Sequence, residues 1–126
     1  MNKSQIRKKI LKIRKQKKIK KFTFNFDLIL NILKRKKVLG KIIGGYYPYN
    51  YELDILQILE KFEKRKFIIT LPRIKKNSQM SFYQWSTNDP LAINKFGIPE
   101  PISKVVKYPD VLLVPLLAFD KNFNRI

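Results

Sequence analysis

Two cations near the start of the chain, Lys3 and Arg7, are spaced for joint contact with one anionic ligand. They lie four residues apart, so in a helix both side chains would project from one face and could converge on a single polyphosphate. In a segment this basic, two neighbouring cations are more typical of a solvated face. The spacing therefore permits phosphate binding without establishing it.

The sequence contains neither histidine nor cysteine. This composition excludes disulfides, thiolate nucleophiles, imidazole acid-base chemistry and most zinc sites within these residues. Any reaction must therefore depend on carboxylates, cations and backbone amides that position and polarise the reactants.

The carboxylate with the most informative position is that of Glu52, which we predict to open the third helix. It follows an aromatic turn that contains Pro48, and it comes five residues after Tyr47 at the end of a predicted strand. The helix dipole alone would stabilise a carboxylate there by about 0.3–1 kcal/mol, so a purely structural role stays open. Asp54 is more typical of a capping or solvent-facing residue.

An aromatic-rich segment, residues 80–85, alternates with a period of two. In a strand, Met80 and Phe82 would lie on one face and Tyr83 and Trp85 on the other. Residues of this kind usually pack in a core, but they can also wall a pocket for a flat ligand. Both roles stay open for Met80 and Trp85.

The net charge of +19 is concentrated in the first third of the chain. Residues 1–41 contain 16 Lys and Arg against one acid, whereas the rest contains 12 against 8. Lysine outnumbers arginine 22 to 6, although base-reading proteins favour the bidentate fork of arginine. We therefore interpret most of the charge as solvated surface. The alternative function is a basic nucleic-acid-binding module over residues 3–41.

The hydrophobic periodicity predicts one α/β domain. Helices are expected over residues 3–18, from 25 or 27 up to 40, and over 52–65, and strands over 41–47, 67–71, 81–85 and 111–114. Since strand, helix and strand succeed one another between residues 41 and 71, two strands should be parallel. The predicted architecture is a three-layer, doubly wound, mainly parallel sheet with helices on both faces.

The apolar run at residues 111–114, closed by Pro115, predicts a strand covered on both faces, as in the middle of a parallel sheet. Sites in such sheets lie just beyond the carboxyl ends of the strands. We therefore expect the functional site beside residues 115–126, where the sequence ends.

Motifs in a fixed order extend over almost the whole chain. They are Lys3-x-x-x-Arg7, Pro48-x-x-x-Glu52-x-Asp54, a strand ending in Leu71-Pro72, Met80-x-Phe82-x-x-Trp85, Phe96-Gly97-Ile98-Pro99-Glu100-Pro101, and Val114-Pro115-x-x-Ala118-Phe119-Asp120 followed by Arg125. No single motif is specific, but their shared order is hard to obtain by chance. The set resembles the 5-formyltetrahydrofolate cyclo-ligase family, also called methenyltetrahydrofolate synthetase.

The resemblance implies a sugar-isomerase-like, Rossmann-like fold and an ATP-dependent reaction. In the family, ATP transfers a phosphoryl group to the formyl oxygen of 5-formyltetrahydrofolate, with Mg²⁺ bridging the phosphate oxygens. The substrate's own nitrogen at position 10 then attacks, and phosphate leaves to give 5,10-methenyltetrahydrofolate. No protein nucleophile is implied. In the family an aspartate of the glycine-rich loop serves the metal, and no residue of this sequence is assigned that role. The implied contacts are Lys3, Arg7 and Arg125 for ATP, and Tyr47, Glu52, Met80 and Trp85 for the folate.

The sequence departs from the family pattern near its end. Phe123 stands where many members have glycine, and the glycine-rich loop that cradles phosphate in the family is not present. We therefore expect a single incomplete, C-terminally truncated domain over residues 1–126, which binds ATP and Mg²⁺ poorly and is inactive alone. A paralogue that kept the fold and lost catalysis is a further alternative.

The sequence has no apolar run long enough to span a bilayer and no secretory leader pattern. We expect a cytoplasmic monomer whose partners are 5-formyltetrahydrofolate and ATP, with no specific nucleic acid and no membrane contact.

Overall fold

The computed structural model describes residues 1–17, 24–77 and 79–126. Its elements, in chain order, are α1 Lys3–Gln16, α2 Phe26–Arg35, β1 Ile42–Gly44, α3 Leu56–Lys64, β2 Ile68–Ile74, β3 Met80–Gln84, β4 Leu91–Ile93, β5 Pro99–Pro101 and β6 Val111–Leu112. The first helix ends at Gln16, and residue 18, where we expected its end, lies outside the described residues.

The main sheet has the strand order β3-β2-β1-β6. Strand β1 pairs in parallel with both β2 and β6, whereas β3 is antiparallel to β2. Helix α3 connects β1 to β2, as expected for a crossover between parallel strands. The predicted mainly parallel α/β architecture is therefore confirmed, and β4 and β5 form a separate antiparallel pair.

The core lies where α2 and α3 meet the sheet. Phe62 of α3 is fully buried, and its ring packs edge-on against Phe26 at 4.8 Å and Phe67 at 5.0 Å between centroids. Leu59 and Ile43 are also completely buried. Removal of this apolar surface from water holds α3 on the sheet.

Side-chain caps fix where the first two helices begin. The Asn2 side chain accepts a hydrogen bond from the Gln5 backbone N–H at 2.9 Å, and the Gln5 side chain accepts one from the Asn2 N–H at 3.1 Å. In α2, Asn25 is the capping residue, since its side chain accepts from the Leu28 N–H at 3.1 Å. Of the two caps that the sequence allowed for α2, Asn25 is therefore the one used.

The prediction that Glu52 opens the third helix is wrong, because α3 begins at Leu56. Asn50 and Tyr51 both have positive φ, 51° and 63°, and the Glu52 N–H donates to the Tyr49 carbonyl at 3.1 Å. These residues form a tight turn that is incompatible with a helix. Asp54 does act in the cap region as predicted, since its carboxylate accepts from the Leu56 N–H at 2.9 Å.

Strand β2 continues through Pro72, whereas the sequence predicted an end at Leu71. The Thr70 carbonyl accepts from the Gly45 N–H at 2.9 Å, so the backbone of Thr70 is directed toward the β1 side of β2. The backbone nitrogen of Pro72, two residues further on, is directed toward that same side. Strand β1 has already ended at Gly44 there, so the missing N–H of the proline interrupts no pairing with that strand.

The expectation that residues 111–114 are covered on both faces is also wrong within the described residues. Strand β6 lies at the edge of the sheet, and Leu112 and Val114 are 54% and 52% exposed. Val111 and Leu113 are partly buried and pack against the core. Burial therefore alternates along this run, as it does in a strand with only one covered face.

Replacing Gly40 by Ala should destabilise the sheet by about 1–3 kcal/mol, because the new Cβ would collide with the Asp110 carboxylate. That carboxylate accepts the Ile42 N–H at 3.0 Å, and the Asp110 N–H donates to the Ile42 carbonyl at 2.8 Å, so it links β6 to β1. Urea unfolding measures the effect. Leu39→Ala is the control, since Leu39 is 93% exposed, and equal stability of the two variants would contradict the prediction.

Candidate functional site

A cleft of about 420 Å³ lies beyond the carboxyl ends of β1 and β6. One wall is α1, a second is the turn at residues 49–52, and a third is the segment that follows β6. This is the edge of the sheet where we expected the site from the sequence.

The charged side chains that line this cleft are Arg7, Arg14, Arg125 and Glu52. Three guanidinium groups against one carboxylate favour a polyanionic ligand, since arginine can make paired hydrogen bonds to phosphate oxygens. Two of the three predicted ATP contacts, Arg7 and Arg125, are therefore brought together with Glu52, a predicted folate contact.

Glu52 is held by the turn that it closes. Its Oε1 accepts a hydrogen bond from the Tyr49 N–H at 2.9 Å, and within the described residues Oε2 accepts none. Burial raises the pKa of the Glu52 carboxyl above its ordinary value, against the opposing effects of the Tyr49 hydrogen bond and of the Arg125 and Arg14 charges. One carboxylate oxygen is thus left for a ligand that donates hydrogen bonds.

The raised pKa of Glu52 predicts a specific pH dependence of stability. The folded state keeps the Glu52 proton to higher pH than the unfolded state, so the free energy of unfolding falls as pH rises from the ordinary value of 4.5 through the raised one. Glutamine does not titrate, so Glu52→Gln should remove this pH-dependent loss of stability. Urea unfolding across that window should therefore show the variant gaining stability relative to the wild type as pH rises. A difference independent of pH would contradict the prediction.

Lys3, the third predicted ATP contact, is not among the residues that line this cleft. Its charge does act on Asp120, whose pKa is lowered mainly by hydrogen bonds from Asn124 and further by Asn122 and Lys3. The Lys3 charge is therefore within electrostatic range of Asp120, which precedes the cleft residue Arg125 by five residues.

Phe123 lies in that same turn with a φ of 63°. Its N–H donates to the Asp120 carbonyl at 3.0 Å. Positive φ is a conformation that glycine adopts without strain and that a side chain disfavours. The structure therefore explains why glycine suits this position, as the family pattern indicated.

A second, more apolar cleft of about 540 Å³ adjoins the first and shares Arg14, Pro115 and Leu116 with it. Tyr46 lines it and donates its hydroxyl to the Leu53 carbonyl at 2.8 Å. Burial, chiefly, raises the pKa of Tyr46 to about 12. Tyr47, the tyrosine predicted to contact folate, is half-buried and lines neither cleft.

Met80 and Trp85 lie at opposite ends of the antiparallel pairing with β2. Met80 pairs with Ile74 at the carboxyl end of β2 and is 59% exposed, whereas the Trp85 N–H donates to the Ile69 carbonyl near its start. Trp85 is 5% exposed, and its Nε1 donates to the Asp89 carbonyl at 3.1 Å. Neither residue lines the two clefts, and the geometry favours packing for Trp85.

Arg14 is a site residue that we did not predict from the sequence. It lies seven residues after Arg7 and three after Leu11, and all three line the charged cleft. Continuing the helical spacing from Arg7 would have placed Arg14 on the same face.

Among residues 1–17, 24–77 and 79–126, no three acidic side chains are grouped closely enough to hold a metal ion. The Asp120 carboxylate already accepts hydrogen bonds from Asn122 and Asn124 on its two oxygens. Among the helices of the described segments, none is both long enough and apolar enough to cross a bilayer.

Residues 1–126 match the family model described as the 5-formyltetrahydrofolate cyclo-ligase family. A curated 5-formyltetrahydrofolate cyclo-ligase of Haemophilus influenzae is 26% identical over 104 residues, which is 77% of this chain and 54% of that protein. The chain thus spans about half the length of this relative.

Two solved structures share the fold. The 5,10-methenyltetrahydrofolate synthetase of Aquifex aeolicus has a TM-score of 0.70 and 27% identity, over 95% of this chain and 63% of that one. The 5,10-methenyltetrahydrofolate synthetase of Mycoplasma pneumoniae has a TM-score of 0.61 and 19% identity, over 99% of this chain and 70% of that one, and supports the fold alone.

Proposed function

The chain belongs to the 5-formyltetrahydrofolate cyclo-ligase family, and on that premise we propose that it takes part in the ATP-dependent cyclisation of 5-formyltetrahydrofolate to 5,10-methenyltetrahydrofolate. One observation carries the proposal: Arg7, Glu52 and Arg125, which are far apart in sequence, line a single cleft. Cations for a triphosphate and a carboxylate for a folate thus lie within reach of one another.

In this proposal Arg7 and Arg125 bind the phosphates of ATP. Guanidinium groups keep their charge at all physiological pH values and match phosphate geometry. Lys3, whose charge acts on Asp120, supplies a further cation for the triphosphate. Placing positive charge around the transferred phosphoryl group is the main catalytic requirement of phosphoryl transfer.

Glu52 binds the amino-pyrimidine edge of the pterin, which presents neighbouring N–H donors to a carboxylate. Its Oε2, which accepts no hydrogen bond from the described residues, and its place in the cleft that adjoins the apolar one support this role. Tyr47 and Met80 stay as predicted folate contacts, although neither lines the two clefts. Trp85 is better assigned to the core.

The chemistry needs no nucleophile from the protein. The formyl oxygen accepts the γ-phosphoryl group of ATP, and ADP leaves. The nitrogen at position 10 of the same substrate then attacks the activated carbon, and loss of its proton to solvent and of phosphate gives the methenyl product. The protein's part is to align the formyl oxygen with the γ-phosphorus and to exclude water. Mg²⁺ would arrive on the triphosphate oxygens, as it commonly does, and we assign it no protein-held site.

The proposal is tested with the full gene product that carries this sequence. ATP-dependent conversion of 5-formyltetrahydrofolate to the methenyl product, with one phosphate released per turnover, is expected from a cytoplasmic monomer. The coding sequence after Ile126 should specify a glycine-rich Tyr-Tyr-Asp loop. No product with ATP and Mg²⁺ present would reject the activity. Sequence-selective, steeply salt-dependent nucleic-acid binding would instead favour the alternative function.

A further inference from the structure

Arg14 makes contacts that set it apart from its basic neighbours on α1. Its Nη1 donates to the Tyr51 carbonyl at 3.3 Å, and its Nη2 donates to the Leu116 and Leu117 carbonyls at 3.2 and 3.4 Å. Arg14 is partly buried, whereas the other cations of the helix are exposed, namely Lys3, Arg7, Lys8, Lys9, Lys12 and Lys15. One guanidinium group therefore joins the helix to both loops of the cleft.

The attachment of α1 to the rest of the molecule is otherwise limited. The helix contributes no fully buried residue, and its apolar face consists of partly buried side chains such as Ile6, Ile10 and Leu11. Hydrogen bonds that involve a charged group are about twice as strong as those between neutral groups. Three of them from Arg14 are thus a substantial part of what holds α1 in place.

We propose that Arg14 is a positioning residue, which fastens α1 to the loops at residues 49–52 and 115–117 and so fixes the spacing between Arg7 and Glu52. This inference rests on the proposed function, because that spacing matters only if one cleft must hold a triphosphate and a folate together. Misplacement of reacting groups by about 1 Å can lower a rate by about a hundredfold.

The turn that Arg14 contacts is strained, and this supports the inference. Tyr51 has a φ of 63°, a conformation that costs a residue with a side chain about 1–3 kcal/mol. A charged donor on the Tyr51 carbonyl favours this turn, which carries Glu52, over relaxed alternatives.

Lysine could not replace Arg14 in this arrangement. The two terminal nitrogens of the guanidinium point to different loops in one rigid plane, whereas an ammonium is a single point charge on a flexible stem. Burial raises the pKa values of Glu52 and Tyr46, and the Arg14 charge opposes this rise in both groups. The Arg125 charge opposes it in Glu52 as well. Arg14→Lys keeps this charge and removes the fork, so it separates positioning from electrostatics.

The test compares Arg14→Lys, Arg14→Gln and the control Lys15→Gln in the full gene product. We expect kcat/KM for both ATP and 5-formyltetrahydrofolate to fall about tenfold or more in Arg14→Lys, with little rescue relative to Arg14→Gln. Amide hydrogen exchange over residues 49–53 should become faster in both Arg14 variants. Lys15→Gln, which removes one exposed charge from the same helix, should change neither quantity more than about twofold.

Each outcome gives a decision. Wild-type kinetics in Arg14→Lys would overturn the positioning role and leave Arg14 as a charge only. A wild-type protein without cyclo-ligase activity would reject the proposed function instead. In that case, unchanged amide exchange over residues 49–53 in Arg14→Lys would also reject the proposal that Arg14 fastens α1 to the loops. Faster exchange would support that structural role even without the cyclo-ligase reaction.

Discussion

Glu52→Gln is expected to lower kcat/KM for 5-formyltetrahydrofolate by at least about a hundredfold, because the charge-assisted hydrogen bonding of the pterin to Oε2 would be lost and an N–H donor would face the pterin N–H groups. Glutamine keeps an oxygen for the Tyr49 N–H, but it presents an amide N–H₂ where the ligand needs an acceptor. Steady-state rates of methenyl product formation at saturating ATP measure the effect. The KM for ATP should change much less than the KM for the folate.

The loss should not arise from unfolding. Burial already disfavours the Glu52 charge in the folded state, so its removal should leave the protein at least as stable at neutral pH. Glu60→Gln is the matched control: Glu60 is exposed and makes only an i,i+4 ion pair with Lys64 at 3.4 Å. Wild-type activity in Glu52→Gln, or an equal loss in Glu60→Gln, would reject the assigned role.

Hydrophobic periodicity was sufficient to predict the order of the three helices and of the four strands of the main sheet, but it missed β4 and β5. The start of α3 depended on turn chemistry. The apolar spacing of Leu56, Leu59 and Phe62 extends back to Leu53, so the pattern predicted a helix from Glu52. Two consecutive residues with positive φ, Asn50 and Tyr51, ended that possibility. Asparagine tolerates this conformation but tyrosine does not favour it, so composition alone gave no reason to expect it.

Burial of strands could not be predicted from apolar composition alone. Residues 111–114 are all apolar, yet Leu112 and Val114 are exposed because only one face of this run is covered in the described structure. Which face of a strand is covered is decided by packing against distant segments. The same limit applies to Trp85, since alternation along one strand cannot distinguish a pocket wall from a core residue.

The candidate site was predicted in part through motifs and missed where its contacts are long-range. Arg7, Glu52 and Arg125 were identified by the family resemblance and meet in one cleft. Arg14 binds carbonyls that lie 37, 102 and 103 residues away along the chain. A basic residue in a highly basic helix has no local feature that distinguishes such a contact from solvent exposure.

Phe62→Ala is expected to lower the free energy of unfolding by about 3–5 kcal/mol, the largest change in stability of any substitution considered for this chain. The Phe62 side chain is completely buried and contacts Phe26 of α2 and Phe67 at the entry to β2, so its loss leaves a cavity that joins three elements. Small domains are stable by only about 5–15 kcal/mol, so this change removes a large share of the total.

Urea unfolding followed by circular dichroism measures the Phe62→Ala effect, with a lower midpoint and an unchanged slope expected if both states keep their compactness. Phe96→Ala is the control, because it deletes the same ring at a position that is 55% exposed and should change the free energy of unfolding by less than about 1 kcal/mol. Since α3 precedes β2 and follows the Glu52 turn, Phe62→Ala should also speed amide exchange over residues 49–53. A loss of stability no larger than that of Phe96→Ala would mean that α3 does not pack on the sheet through Phe62, and the positioning of Glu52 would need another explanation.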